Sequence, residues 1–250
     1  MKQELAVPTV AEINQRDSWL AMAIMGLGQA LMTFNISALP VSMSGIVTSF
    51  SVAPTTVGTV MVVHSLSIAA LVMLGAKLGQ IFGSRNVFQA MSAVFVVAVM
   101  MLRIAPNIFV VLAAQTIAGL AASVVVPSLV VRIANSYKGK QQVQALGLLG
   151  GIQALAGMLG FFVAGSLETL ASWRVTFAIL VPLSLAAVFL GRHLAPVDKL
   201  PEVKIDLLGV VLAASAIVLI SLGFNNLHRW DVLLAKPTHC SISAVYRPRP

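Results

Sequence analysis

Apolar residues in this chain arrive in unbroken blocks rather than in alternation. Seven blocks stand out, at 19–40, 57–76, 87–104, 108–131, 143–167, 175–190 and 207–224. Most reach the roughly 20 residues, within a range of about 17 to 25, that carry a helix across a bilayer core. Continuous hydrophobicity predicts helices rather than barrel strands, because a backbone dissolved in lipid must satisfy its own N–H and C=O groups. The pattern therefore predicts an all-α integral membrane protein with seven transmembrane helices, its partner the lipid bilayer. It divides the chain into a polar segment at 1–18, six spans within 19–194, a linker at 195–206 containing Pro196 and Pro201, a seventh span at 207–224 and a tail at 225–250. Trp19, Trp173 and Trp230 fall near block ends, where indoles favour the membrane interface.

Composition sharpens this reading. Of the 250 residues 58% are apolar and only 10% charged, against about 25% charged in an ordinary soluble domain. The net charge of +8 does not point to nucleic acid, because the cations sit in short connections between blocks. There they act as topology determinants facing an anionic leaflet. With the N-terminus in the cytoplasm, Lys2, Arg16, Lys77, Arg85, Arg132, Lys138, Lys140, Arg192, Lys199 and Lys204 lie inside, and only Arg103 and Arg174 lie in the outer loops. That asymmetry predicts a cytoplasmic N-terminus in a cell (inner or plasma) membrane. Residues 1–18 carry no signal-peptide pattern.

Catalytic chemistry is not legible. The single Cys240 rules out an internal disulfide and a zinc cluster. There is no Ser-His-acid set, no metal-ligand spacing and no phosphate-binding loop, so the expectation is no enzyme, no cofactor and no metal. Gly26 and Gly28 lie in an apolar helix with no preceding strand, which makes them packing residues and not a dinucleotide fingerprint. The polar groups inside the blocks are few. Gln29, Asn35, His64, Gln115 and Gln153 are candidates to line a cavity; an amide in lipid turns inward or pairs with another helix, and both roles stay open for each. His64 is the one ionisable side chain well inside a block, either neutral and hydrogen-bonded or a proton carrier. None of the eight acids falls at mid-membrane; Glu168 and Asp206 stand at block ends.

The stretch 75–88, GAKLGQIFGSRNVF, interrupts two blocks with glycines at 75, 79 and 83 and cations at Lys77 and Arg85. Such spacing stacks glycines on one helix face, where a second helix can come close. The stretch resembles the connection between spans two and three of major facilitator superfamily transporters, in particular the fourteen-span drug:proton antiporter branch. The pattern there is Gly-basic-Leu-Gly-Asp-basic-x-Gly-basic-basic, and Gln80 stands in place of its acid. Four further motifs are similar. Asn35 to Pro40 resembles the end of span one, with Leu31 where the branch has an acid. Gln115 stands four residues before Gly119, where the branch has an arginine. Ala156, Gly160, Phe161, Ala164 and Gly165 resemble the Gly-x-x-x-Gly-Pro-x-x-Gly-Gly of span five, with the proline lost. Trp173, Arg174, Phe177 and Pro182 resemble the entry to span six.

The resemblance runs from about Trp19 to Phe224. It implies a six-helix N-terminal bundle of two inverted three-helix repeats, plus a linking seventh helix. It also implies multidrug or other small-molecule efflux by alternating access, with a small amphipathic substrate and spans one, two, four and five lining half of a central cavity. Gly75, Lys77, Gly79, Gln80, Gly83 and Arg85 would form a gating loop. Gly119, Ala156, Gly160, Ala164 and Gly165 would serve helix packing. Residues 238–250, THCSISAVYRPRP, show no amphipathic period. A truncated or frame-shifted reading lacking a C-terminal half would explain them, and then the chain is a non-transporting half-bundle or a partner-dependent subunit.

Overall fold

The computed structural model describes residues 19–194 together with Gly209, Leu212, Ser215, Ala216 and Leu219. Helices run over α1 (Trp19–Val41), α2 (Met43–Phe50), α3 (Pro54–Ile81), α4 (Ser84–Ile104), α5 (Ile108–Ser136), α6 (Lys140–Leu170) and α7 (Trp173–Leu190), followed by a 3-10 turn at Gly191–His193. Among the described residues there is no strand. All but α2 are long and apolar enough to cross a membrane. The chain is thus a multi-pass membrane protein, all-α as its blocks predict. The expected span at 207–224 lies outside the described residues, apart from the isolated positions just named, which are helical. The segments at 1–18, 195–206 and 225–250 lie outside them as well.

Local chemistry sets the boundaries. Asn107 opens α5 by accepting from Val110 N at 3.0 Å, and Ser172 opens α7 by accepting from Arg174 N at 3.3 Å. Both satisfy a first-turn donor that has no partner inside the helix. Pro54 starts α3, at a position where its missing N–H costs nothing. Pro40 ends α1, yet the chain turns directly into α2, with Ser42 N donating to Ala38 O at 3.0 Å.

The helices pair in a way that exchanges the two halves of the bundle. Take α1, α3 and α4 as one repeat and α5, α6 and α7 as the other. Then α3 packs on α5, and α6 packs on α1: the second crossing helix of each repeat lies on the first of the other. In both crossings glycine sets the separation. A methyl group on Gly75 would sit 2.2 Å from the Ser123 carbonyl oxygen, and one on Gly119 would sit 2.7 Å from that of His64. On the other side, a methyl on Gly160 would meet Ser37 Cβ at 2.9 Å and the Phe34 carbonyl oxygen at 3.0 Å. Lipid tails are as apolar as leucine, so close backbone packing has to replace the hydrophobic effect between such helices. The buried core, with Met25, Phe88, Phe95, Leu129, Trp173 and Phe177, gathers around α1, α5 and the inner faces of α4 and α7.

Two expectations change here. The stretch 75–88 is a connection only at Phe82 and Gly83; α3 carries Gly75, Lys77, Gly79 and Gln80 as ordinary helix. The glycine stack accordingly has two members. Gly75 and Gly79 face α5, whereas Gly83 lies past the end of α3 at φ 84°, a conformation that an L side chain rarely adopts. Arg132, counted from sequence among the loop cations, lies inside α5, before its last turn, and is only 3% exposed. Its Nη1 donates to Ser84 Oγ at 3.0 Å, tying α5 to the start of α4.

Candidate functional site

Three of the polar residues singled out from sequence converge, one from each of three helices. Asn35 on α1 donates from Nδ2 to Gln115 Oε1 on α5 at 3.1 Å. His64 on α3 places Nδ1 2.9 Å from the main-chain oxygen of Gln115. A carbonyl oxygen can only accept, so Nδ1 carries the proton, and Nε2 of the neutral ring is left as an acceptor. Helix rise places the three residues roughly 9–15 Å inward from the end where α1 finishes and α3 and α5 begin. All three are at most 1% exposed.

The close approach that joins them depends on Gly119. It lies one turn after Gln115 on the same α5 face, and its hydrogen side abuts the His64 main chain. A side chain there would push α3 away and break the His64 bond. Gln29, 2% exposed, sits further along α1 and reaches only Thr33 Oγ1, at 3.5 Å, the outer limit of a hydrogen bond. Gln153 lies on an exposed stretch of α6 and does not join the cluster.

The cluster is under-satisfied. Gln29 Oε1, Asn35 Oδ1, His64 Nε2 and Gln115 Nε2 are buried without a hydrogen-bond partner. Unpaired polar atoms at such depth are costly, and native proteins keep them where a water or ligand completes the set. The set comprises amide oxygens that accept, one amide nitrogen that donates, and an imidazole nitrogen. It carries no formal charge. Glu168, the sole acid among the described residues, stands at the end of α6, and no group of three His, Cys, Asp or Glu occurs among those residues.

At the opposite end of the bundle, cations collect. Lys77, Arg85, Arg132, Lys138, Lys140 and Arg192 all belong to the end where α3 finishes and α4 begins, whereas Arg103 and Arg174 belong to the other. The arginine-serine tie at Arg132 and Ser84 was not legible beforehand. Its two members are 48 positions apart, and Arg132 closes an apolar block just as a loop cation would. The packing residues fall where α6 meets α1: Ala156 and Ala164 are buried, and a methyl group on Gly165 would lie 3.7 Å from Val41 Cγ1. A methyl group on Gly147, Gly150 or Gly151, earlier on α6, would meet nothing within 4 Å.

Comparison with known proteins follows from this geometry. The model of the Major Facilitator Superfamily matches residues 25–236. The chain is 28% identical over 212 residues to the cephamycin export protein CmcT of Amycolatopsis lactamdurans, covering 83% of this chain and 44% of that protein. It is 23% identical to the riboflavin transporter RibZ of Clostridioides difficile (strain 630), covering 84% of this chain and 47% of that one. It is 26% identical to the methylenomycin A resistance protein of Bacillus subtilis (strain 168), covering 80% and 43% respectively. The chain thus spans a little under half the length of these relatives. In fold it is similar to the crystal structure of peptide transporter POT in complex with sulfate, with a TM-score of 0.66 at 10% identity over 83% of this chain and 46% of that one.

Proposed function

The chain belongs to the Major Facilitator Superfamily, and on that premise we propose that it exports a small amphipathic solute by alternating access, as a multidrug-type carrier of the fourteen-span antiporter branch. The observation that carries this reading is the cluster of Asn35, His64 and Gln115. Three helices contribute neutral donors and acceptors that the protein itself leaves unpaired. A site of that kind suits an uncharged, hydrogen-bonding amphipath better than an ion, because no formal charge is present to offset the desolvation of another. Relatives named for export and resistance support the direction of transport.

Efflux of Nile red, an uncharged amphipathic dye, from cells expressing the full chain tests the proposal. The expected result is faster loss of dye than from cells with empty vector, and a severalfold slower loss with Gly79→Leu. A methyl on Gly79 would lie 3.0 Å from Ser128 Cβ, so leucine obstructs the sliding of α3 on α5 while the apolar span still inserts. Efflux by Gly79→Leu at the unsubstituted rate would remove the gating role from this face.

Orientation has its own test. The clustering of six of the eight described Lys and Arg side chains at one end favours that end, and with it the N-terminus, facing the cytoplasm of a cell (inner or plasma) membrane. In a Cys240→Ser background, a cysteine at Phe109 should react with a membrane-impermeant maleimide added to intact cells, and one at Phe82 should not. Both positions are well exposed, at 76% and 56%. Labelling of Phe82→Cys alone would invert the topology.

The chain's length favours a second reading. It matches less than half of each relative described above, and carriers of this type pass solutes between two six-helix halves. On that reading these residues form one half, and transport needs a second bundle. Absence of Nile red efflux from well-inserted chain, restored by co-expression of a six-helix C-terminal half, would select it.

A further inference from the structure

The short helix α2 has no role in the reading above, yet it is the most heavily tethered segment at its end of the bundle. Its N-cap, Ser42, makes no capping hydrogen bond with its own side chain. The first-turn N–H groups of a helix need an acceptor from elsewhere. Glu168, at the end of α6, supplies it: Oε1 accepts from Gly45 N at 2.6 Å and from Ser44 Oγ. A carboxylate at a helix N-terminus also meets the positive end of the helix dipole. Gly45 is required there, because a methyl group on it would lie 2.9 Å from both Glu168 Oε1 and Trp173 Cδ1.

The far end of α2 is gripped as well. Trp173 Nε1 donates to Ser49 Oγ at 3.0 Å, and the Phe50 and Trp173 rings meet edge to face at 5.9 Å. The Arg174 guanidinium lies 4.5 Å from the Trp173 ring centre and 5.4 Å from that of Phe50. Its Nη2 donates to the Ala105 carbonyl, at the end of α4, at 2.9 Å. Beyond this grip, Ser51 closes α2 with φ 52°, the one left-handed non-glycine residue among those described. Such a conformation persists only where its surroundings hold it.

We propose that α2 is a latch joining the two three-helix repeats at this end of the bundle, locked by Glu168 on its first turn and by Trp173 and Arg174 on its last. The latch segment belongs to the first repeat, following α1, and its two main catches belong to the second, on α6 and α7. Movement of α1 against α6 at this end therefore requires release of the Glu168 contacts. Those contacts are few and polar, so the lock can open and close again. The latch stands independently of which solute, if any, the chain carries.

The test uses the full chain in lipid nanodiscs, where both faces are accessible, with Cys240→Ser and a reporter cysteine at Ile46. Ile46, on the buried face of α2, is 0% exposed, so a water-soluble maleimide reaches it only when the latch lifts. Glu168→Ala should raise its labelling rate about fivefold, the change that corresponds to loss of a typical helix cap. Ser51→Gly, which relieves the left-handed strain of the closed state, should slow labelling below the unsubstituted rate. A second reporter at Ala118, 0% exposed in the core, should stay unlabelled in every variant. Unchanged labelling of Ile46→Cys in Glu168→Ala overturns the latch. So does equal acceleration at both reporters, which would make Glu168 a general fold determinant.

Discussion

Gly75→Leu should lose the folded bundle in detergent well before the unsubstituted chain does. The position is packed against main chain: a methyl group there would lie 2.2 Å from the Ser123 carbonyl oxygen and 2.6 Å from Val124 Cα. A side chain could swing aside, but a helix backbone cannot. Forced insertion into a close-packed core costs typically about 1–3 kcal/mol and occasionally more, and an obstacle made of backbone places this substitution at or above the upper end. Loss of secondary structure on titration with denaturing detergent reads the effect directly. Gly58→Ala is the control, since a methyl group there would meet nothing within 4 Å. Alanine there should be neutral or raise stability by up to about 1 kcal/mol through helix propensity. Equal midpoints for the two variants would mean that the α3–α5 crossing is not held by glycine contact.

Gln115→Leu carries the second large effect. Leucine removes the acceptor of Asn35 Nδ2, leaving an amide with no partner between α1 and α5. A buried polar group stranded in this way costs about 1–3 kcal/mol in water-soluble cores. Between membrane helices the measured range falls lower, at about 0.6–2 kcal/mol, because the unfolded reference in lipid also finds partners. The full burial of both residues favours the upper part of that lower range. Asn35→Leu combined with Gln115→Leu should then cost less than the sum of the single changes, by about 1 kcal/mol of coupling. His64 should behave differently: its bond goes to the Gln115 main chain, which leucine retains, so His64→Leu and Gln115→Leu should add with less coupling. Strict additivity for the Asn35 and Gln115 pair would dissolve the cluster as a unit. Loss of Nile red efflux without loss of stability in Gln115→Leu would instead mark the amide as a contact for the solute.

Much of the architecture was legible because span formation is governed by rules that act locally. An apolar block of sufficient length in lipid becomes a helix, since no other conformation satisfies its backbone. The start of α5 at Asn107 and that of α3 at Pro54 follow from residue chemistry within one turn. The structure of the 75–88 stretch was half legible. Its glycine spacing announced a close crossing but could not reveal that α3 continues through most of the stretch. Nor could it separate Gly83, a turn residue, from Gly75 and Gly79, contact residues, because all three share one spacing.

The candidate site was legible as a set of residue types and not as a constellation. Gln29, Asn35, His64, Gln115 and Gln153 looked alike as amides and an imidazole in apolar surroundings. Packing brings Asn35, His64 and Gln115 together, leaves Gln29 to one side and puts Gln153 on an exposed stretch of α6. The cap that Glu168 places on α2 spans 123 positions, and no periodicity reaches that far.

Chain chemistry alone settled that these residues are membrane helices and which ends gather the cations, because hydrophobic length and loop charge are properties of short consecutive stretches. Three-dimensional packing settled which glycines touch a neighbour, which amides meet, why Arg132 is buried and where α2 is fastened. Those outcomes depend on how close two helices come and at what rotation. Both quantities are set by the partner's surface as much as by the helix's own.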